Sequence, residues 1–579
     1  MSRFEIREQF YLDGAPFKII SGAIHYFRVH PAYWRDRLEK LRAMGCNCVE
    51  TYVPWNLHEP APGQFRFEGG LDLAAFLRTA QAVGLYAIVR PSPYICAEWE
   101  FGGLPAWLLS GEDMPLRSSE GPFLSHVARY YRRLFQELAP MQIDRGGPVL
   151  LMQVENEFGV WGREDPAYLE GLAGLMRENG ATVPFITADN LDEHALDRGG
   201  MVGALSTVNF GSGAAEKLEV LRPHAKGGPL MVTEFWVGWF DAWGDVHHTA
   251  GAKENAADLD EILRRGSVNF YMFHGGTNPG LYNGSNYFDH LTPDVTSYDY
   301  GSPLTEDGRE TEKYRAFQRV IGKYAPIPRV ELTTEIVRRG YGALEASGRV
   351  GLFDALDSLG QPVALDTPRS MERLGQSCGY ILYRTTLPAG TRAKCLELTN
   401  AADRALIFLD GVPALTLMDR ALEGPHSVDW ALERDTRLDI LVENLGRVNY
   451  GPRMARQRKG IDGPVLLDGV PVTDWQAWPL SMEGLKGLKF GGRAAGPAFY
   501  RFTFRPEERG DTFLDTTGWG KGCALLNGVN IGRFWDIGPQ RRLYIPGPML
   551  REGENELILF ESEGRAPGTV TLAAEPDLG

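Results

Sequence analysis

The sequence predicts an α/β protein: a (β/α)₈ TIM barrel followed by two all-β, jelly-roll-like sandwich domains. Three observations predict it. Eight apolar runs alternate with amphipathic stretches over roughly the first 330 residues. Polar residues collect at the C-terminal ends of those runs. Beyond Pro326 the long helical patterns stop, and short alternating strands with Gly, Pro and Asp turns take over.

The barrel strands are expected at 18–26, 46–55, 86–94, 149–157, 184–190, 206–211, 229–236 and 267–276. Helical periodicity lies between them at 33–45, 71–84, 123–142, 167–180 and 256–266, several stretches ending in a glycine that suits a C-cap. A doubly wound open sheet would want a Gly-rich phosphate turn after an early strand, and none is present. A barrel carries its chemistry at the C-terminal ends of its strands. Tyr52 and Asn56 follow the second strand and Glu98 the third. Asn156 and Glu157 close the fourth, Asn209 the sixth, Glu234 the seventh and His274 the eighth.

In the β region, Tyr383-Arg384 and Leu409-Asp410-Gly411-Val412 recur 117 residues later as Tyr500-Arg501 and Leu526-Asn527-Gly528-Val529. Two related sandwiches follow from this repeat. The domain limits are drawn at 1–330, 331–480 and 481–579, with 331–377 free to lend a strand to either sandwich. Whether the sandwiches touch carbohydrate or only pack on the barrel stays open.

Composition narrows the function classes. The chain has 579 residues, too many for one core. Its net charge of -15 argues against nucleic acid or an anionic membrane as partner. No apolar run approaches a membrane span, and the amino terminus lacks the apolar core of a signal peptide, so a cytoplasmic location is expected. The six cysteines are scattered and read as free thiols. His247-His248 lacks an evident further ligand, so no metal and no cofactor are expected. The oligomeric state is open, a homodimer being one option.

The chemistry is concentrated in Gly146-Gly147-Pro148-Val149-Leu150-Leu151-Met152-Gln153-Val154-Glu155-Asn156-Glu157 and in Pro229-Leu230-Met231-Val232-Thr233-Glu234. Carboxylates at the tip of a buried strand are costly unless they sit at an open mouth and do chemistry. Two of them on facing strands fit glycosidic cleavage: one carboxylic acid protonates the leaving oxygen, and one carboxylate attacks the anomeric carbon or activates water. If the fourth strand alternates through its end, Gln153, Glu155 and Glu157 share a face and Glu157 lies nearest the mouth. Glu155 is the deeper alternative.

The chain resembles the β-galactosidases of glycoside hydrolase family 35, of a bacterial, intracellular type. The likeness rests on Thr51-Tyr52-Val53-Pro54-Trp55-Asn56, Tyr94-Ile95-Cys96-Ala97-Glu98-Trp99, Gln153-Val154-Glu155-Asn156-Glu157, Thr233-Glu234-Phe235-Trp236, Asn269-Phe270-Tyr271-Met272-Phe273-His274 and Thr296-Ser297-Tyr298-Asp299-Tyr300. It implies a retaining, exo-acting enzyme that removes terminal β-galactose from short oligosaccharides without a cofactor. β-1,3 linkages are the expected preference. Glu157 would be the acid/base, Glu234 the nucleophile, and Asn156 the partner of the sugar 2-hydroxyl. Tyr52, Cys96, Ala97 and Glu98 would form the wall that reads galactose, Tyr271 would bond the nucleophile, and Tyr298 and Tyr300 would line the mouth. Animal relatives carry tyrosine two residues past the nucleophile. Here Trp236 stands there, so a phenolic contact is expected to be missing. Trp239 and Trp243 are candidates for an aglycone platform, and Tyr450 for a contact from the first β-domain. The alternatives are an exo-β-glucosaminidase on the same scaffold and a catalytically silent carbohydrate-binding protein.

Overall fold

A computed structural model of the chain describes residues 2–161, 164–192, 194–492, 494 and 496–579. Eight parallel strands close into a barrel. They are β1 (Ile20–Ile24), β2 (Cys48–Tyr52), β3 (Tyr86–Arg90), β4 (Val149–Gln153), β5 (Phe185–Asp189), β6 (Ala204–Phe210), β7 (Met231–Trp236) and β8 (Ser267–His274). Pairing of Val268 with Ile20 and of Phe270 with Gly22 shuts the ring. A Cβ on Gly22 would stand 2.7 Å from that of Phe273, so glycine there lets the first and last strands meet.

Each predicted strand overlaps an observed one, but β2, β3 and β4 end at their fifth residue, three or four short of the expected ends, which leaves Asn56, Glu98, Asn156 and Glu157 beyond the strands. The helices form where the apolar period and the caps agree. Trp34–Met44 ends on Gly45 at φ 110°, Leu73–Val83 starts from an Asp72 side chain that accepts from the Ala75 N–H, and Pro166–Glu178 starts likewise from Asp165. The short helices Ala195–Gly199 and Ala214–Leu221 were not expected, because one or two turns are too brief to show a period.

The sequence repeat is a repeat of topology. In one sheet Tyr380–Leu387, Thr436–Glu443, Arg404–Leu409 and Val412–Met418 lie side by side. In another, Ala498–Phe504, Asn555–Glu561, Lys521–Leu526 and Val529–Trp535 lie in the same order. Both hairpins turn on two left-handed residues, Asp410-Gly411 and Asn527-Gly528, which is the two-residue turn that matches strand twist.

The domain limit at 331 needs correction. Gly342–Glu345 pairs with Thr569–Ala573, and Gly348–Gly351 with Ala498–Phe504, so this hairpin belongs to the last domain. Among these short strands Val363–Leu365 joins the first one. Strands this short carry no partner signal of their own.

Buried charges fasten the sandwiches to the barrel. The Arg447 guanidinium is fully buried and pairs with Glu100 of a barrel loop and Glu372 of the first β-domain. Glu443 accepts from Lys521 at 2.5 Å and Arg533 at 2.9 Å, and Arg533 also reaches Asn283 at 2.8 Å. Losing one member would strand a buried charge, at a cost of about 3–5 kcal/mol. Among the described residues no helix is long and apolar enough to cross a membrane.

Candidate active site

The ends of β3, β4 and β7 define the site. On β7 the strand geometry carries Glu234 to the barrel mouth. Its Oε1 accepts from the Tyr52 hydroxyl at 2.5 Å and from Arg90 Nη1 at 2.7 Å, and its Oε2 from the Trp236 indole N–H at 2.9 Å. Arg90 closes β3 and is completely buried. Its other nitrogens donate to Gln153 at 2.7 Å and to Asn156 Oδ1 at 2.9 Å, and its guanidinium lies over the Tyr52 ring. Such convergent donors, one of them charged, suit a carboxylate.

On β4 the predicted alternation fails. The strand ends at Gln153, and Glu155 and Glu157 both take left-handed conformations, φ 59° and 47°. This twist separates the three acid-tip residues. Glu155 turns outward and is held by Arg117, at 3.1 and 2.8 Å, and by the Tyr168 hydroxyl at 2.8 Å. Asn156 and Glu157 turn inward instead. The Asn156 oxygen accepts from Arg90 and Gln153 and lies 2.9 Å from the Tyr52 hydroxyl, which leaves its N–H₂ for a ligand. Among the described residues Glu157 accepts only from Asn209 Nδ2, at 3.2 Å. Burial, and then the charge of Glu234, lift its carboxyl to about 8.

The third edge is the loop after β3. Cys96, Ala97 and Glu98 are three successive left-handed residues, φ 56°, 59° and 47°. Each costs about 1–2 kcal/mol in a non-glycine residue, so tertiary contacts must hold them. Arg28 Nη2 donates to the Ala97 carbonyl at 2.5 Å, the Tyr298 hydroxyl donates to Glu98, and Asn449 Nδ2 meets the Cys96 sulfur at 3.6 Å. Burial is the main cause that raises Glu98 to about 7, and it also pushes the Cys96 thiol up, so that thiol is neutral.

These edges enclose a cavity of about 180 Å³ lined by Cys96, Ala97, Glu98, Asn156, Glu157, Glu234, Trp236, Trp239, Tyr271, Tyr300 and Tyr450 from the predicted set. Tyr450 is brought there by the first β-domain. Its neighbour Asn449 is fixed by its own N–H to the Ser285 carbonyl at 3.0 Å and by the Tyr94 hydroxyl to its carbonyl at 2.7 Å. Three of the predicted residues lie elsewhere. Tyr52 stands behind Glu234 rather than in the wall. Tyr298 stands behind Glu98, and Trp243 is buried against Trp535 of the last domain. Two contacts also change hands. The Tyr271 hydroxyl meets that of Tyr298 at 3.1 Å, so Tyr52 takes the place given to it beside Glu234. The missing phenol is replaced by the Trp236 indole N–H.

Sequence reasoning passed over Asn190, Phe240, Asn286 and Phe288, which complete the lining, and the roles of Arg28 and Arg90. An arginine ending an apolar strand is a signal that could have flagged Arg90. The others sit on irregular loops. Asn56 bonds Trp99 and Glu100, and His274 lies beside Arg37, away from the cavity. His247 and His248 do have a carboxylate neighbour, Asp241, at 2.7 and 3.0 Å, which the spacing had hidden. No cluster of three or more metal-binding side chains occurs among the described residues.

Known proteins resemble this chain along most of its length. The family model described as Glycosyl hydrolases family 35 matches residues 9–324. Models of a first all-β domain and a galactose-binding domain of β-galactosidase match 368–481 and 497–555. A protein named Beta-galactosidase from Xanthomonas manihotis is 42% identical over 93% of this chain and 90% of its own length. Beta-galactosidase-1-like protein 2 of Homo sapiens is 39% identical over 98% and 91%. Beta-galactosidase of Canis lupus familiaris is 38% identical over 96% and 87%.

Proposed function

Since the chain belongs to glycosyl hydrolases family 35 and is a glycoside hydrolase, we propose that it is an exo-acting, retaining β-galactosidase that releases terminal galactose from short oligosaccharides. One observation carries the reading: two buried carboxyls share one small cavity in opposite electrostatic settings. Glu234 is surrounded by donors and has the setting of a nucleophile. Glu157 is held protonated by burial and by its neighbour, and has the setting of the acid.

In the first step Glu234 attacks the anomeric carbon while Glu157 gives its proton to the leaving oxygen. In the second, Glu157 takes a proton from water, which attacks the same carbon and frees Glu234. Each oxygen of Glu234 keeps a donor, which orients the carboxylate before attack and receives it on departure. Asn156 is left to donate to the sugar 2-hydroxyl, and Glu98 to read the far side of the ring. A volume of about 180 Å³ is below the about 300–1,000 Å³ of ordinary ligand sites, which favours one sugar ring and hence exo action. The aglycone would leave past Trp239, which is 42% exposed at the mouth and stacked on Phe240. Preference for β-1,3 links belongs to the same proposal.

Proton NMR of the first product tests retention: β-galactose must appear before mutarotation, and α-galactose as first product overturns it. A panel of β-1,3-, β-1,4- and β-1,6-linked galactosides tests linkage. Release of internal fragments from a galactan would end the exo reading.

A further inference from the structure

A larger cleft lies apart from the catalytic cavity, between the loop after β1, the end of β8 and the last β-domain. Its volume is about 610 Å³, within the range of ordinary small-molecule sites. From this cleft we infer a second ligand site, one that takes a small organic anion with an apolar body.

The walls are apolar on both sides. Phe27, Val29 and Pro279 come from the barrel, and Val529, Ile531 and Met549 from the last domain. Val529 is 55% exposed, an apolar side chain left facing the open cleft. Tyr33 and Tyr544 also line it. Both hydroxyls donate to Asp511, at 2.5 Å each, so what these residues offer a ligand is ring surface.

Two arginines of the lining keep donors that no carboxylate among the described residues takes up. Arg37 is buried at the base. Asp36 holds its Nη1 at 2.6 Å and His274 lies a long 3.4 Å from its Nε, while Nη2 has no hydrogen-bond partner among the described residues. The Nε–Nη2 edge is the one that binds a carboxylate in bidentate fashion. His274 is buried beside it. At the rim Arg551 reaches only the Asn527 carbonyl, at 3.4 Å, and has no carboxylate partner among the described residues. The one carboxyl lining the cleft, Glu306, is lifted to about 8 by burial and is neutral near pH 7. It therefore does not answer these positive charges. Asp36 answers the charge of Arg37 but leaves its Nη2 donor, and with Arg551 at the rim and no ionised carboxyl in the lining the cleft favours a negative ligand in a chain of net charge -15.

The test uses the full-length protein and 3-phenylpropionate as probe, with 3-phenylpropan-1-ol as its neutral analogue. Calorimetry and saturation-transfer NMR should show saturable binding of the acid that saturating galactose does not displace. The alcohol should bind at least about tenfold more weakly, a difference of about 1.4 kcal/mol. Val529→Trp should abolish the binding by filling the cleft, and Arg551→Glu should weaken it about tenfold. Both variants should keep galactoside turnover. Absence of saturable binding, displacement by galactose, equal binding of the alcohol, or unchanged binding in Val529→Trp would each overturn the inference.

Discussion

Glu157 and Glu234 are the same residue type, share one cavity and are almost equally buried, at 8% and 6% exposure. Their surroundings differ in donors. Glu234 has three, including the Arg90 guanidinium, whereas Glu157 has the one amide of Asn209 at 3.2 Å. Burial disfavours a charged carboxylate, and only donors or cations offset it. The difference teaches that the assignment of acid and nucleophile lies in the neighbours, Arg90 and Tyr52 above all, and not in the carboxyls.

The comparison breaks most completely at Glu234 itself. Glu234→Gln removes the attacking group, and turnover should fall by more than the about 10²–10⁴-fold that a general acid contributes. Glu157→Gln should fall within that range for disaccharides and far less in the first step for galactosides with very good leaving groups. Azide should then restore the second step. Equal losses on all substrates, with no azide effect, would remove Glu157 from its role.

Next in size is the loss of a donor. Tyr52→Phe deletes a hydrogen bond to a charged group, worth about 1.5–3 kcal/mol, so kcat/KM should drop about 10- to 100-fold. Trp236→Phe should cost less, since its indole bond is longer and more exposed. If Tyr52→Phe were silent, the three-donor account of Glu234 would fail.

A pH measurement sharpens the same contrast. The acid works only while protonated, so the rate should decline as pH rises through about 8. The Glu234 charge contributes to that high value, so in Glu234→Gln the Glu157 carboxyl should titrate lower. Carbon NMR of labelled glutamate reads this directly, and an unmoved titration would mean that burial acts alone.

The smallest effects separate two tryptophans. Trp239→Ala should weaken use of a disaccharide about two- to tenfold more than use of a nitrophenyl galactoside, the scale of one aromatic contact of about 0.5–1.5 kcal/mol. Trp243→Ala should lower the melting temperature and affect both substrates alike, because Trp243 packs on Trp535.

Much of this was legible in the amino-acid order. The eight barrel strands, the polar tips and the sandwich repeat follow from periodicity and turn chemistry, which act over a few residues and leave their mark in composition. The two carboxylates were legible because charge at the end of a buried strand has few cheap explanations. Only the tertiary structure decided where side chains point once a strand stops. Left-handed backbone at Glu155, Glu157 and Cys96 to Glu98 is unfavourable locally and exists because Arg117, Arg28 and Tyr298 hold it from elsewhere in the chain. The same holds for Tyr52 behind Glu234, for Trp243 against Trp535, and for Tyr450 delivered to the cavity by a separate domain. Local sequence selects the elements, and contacts between distant residues set the directions on which the chemistry depends.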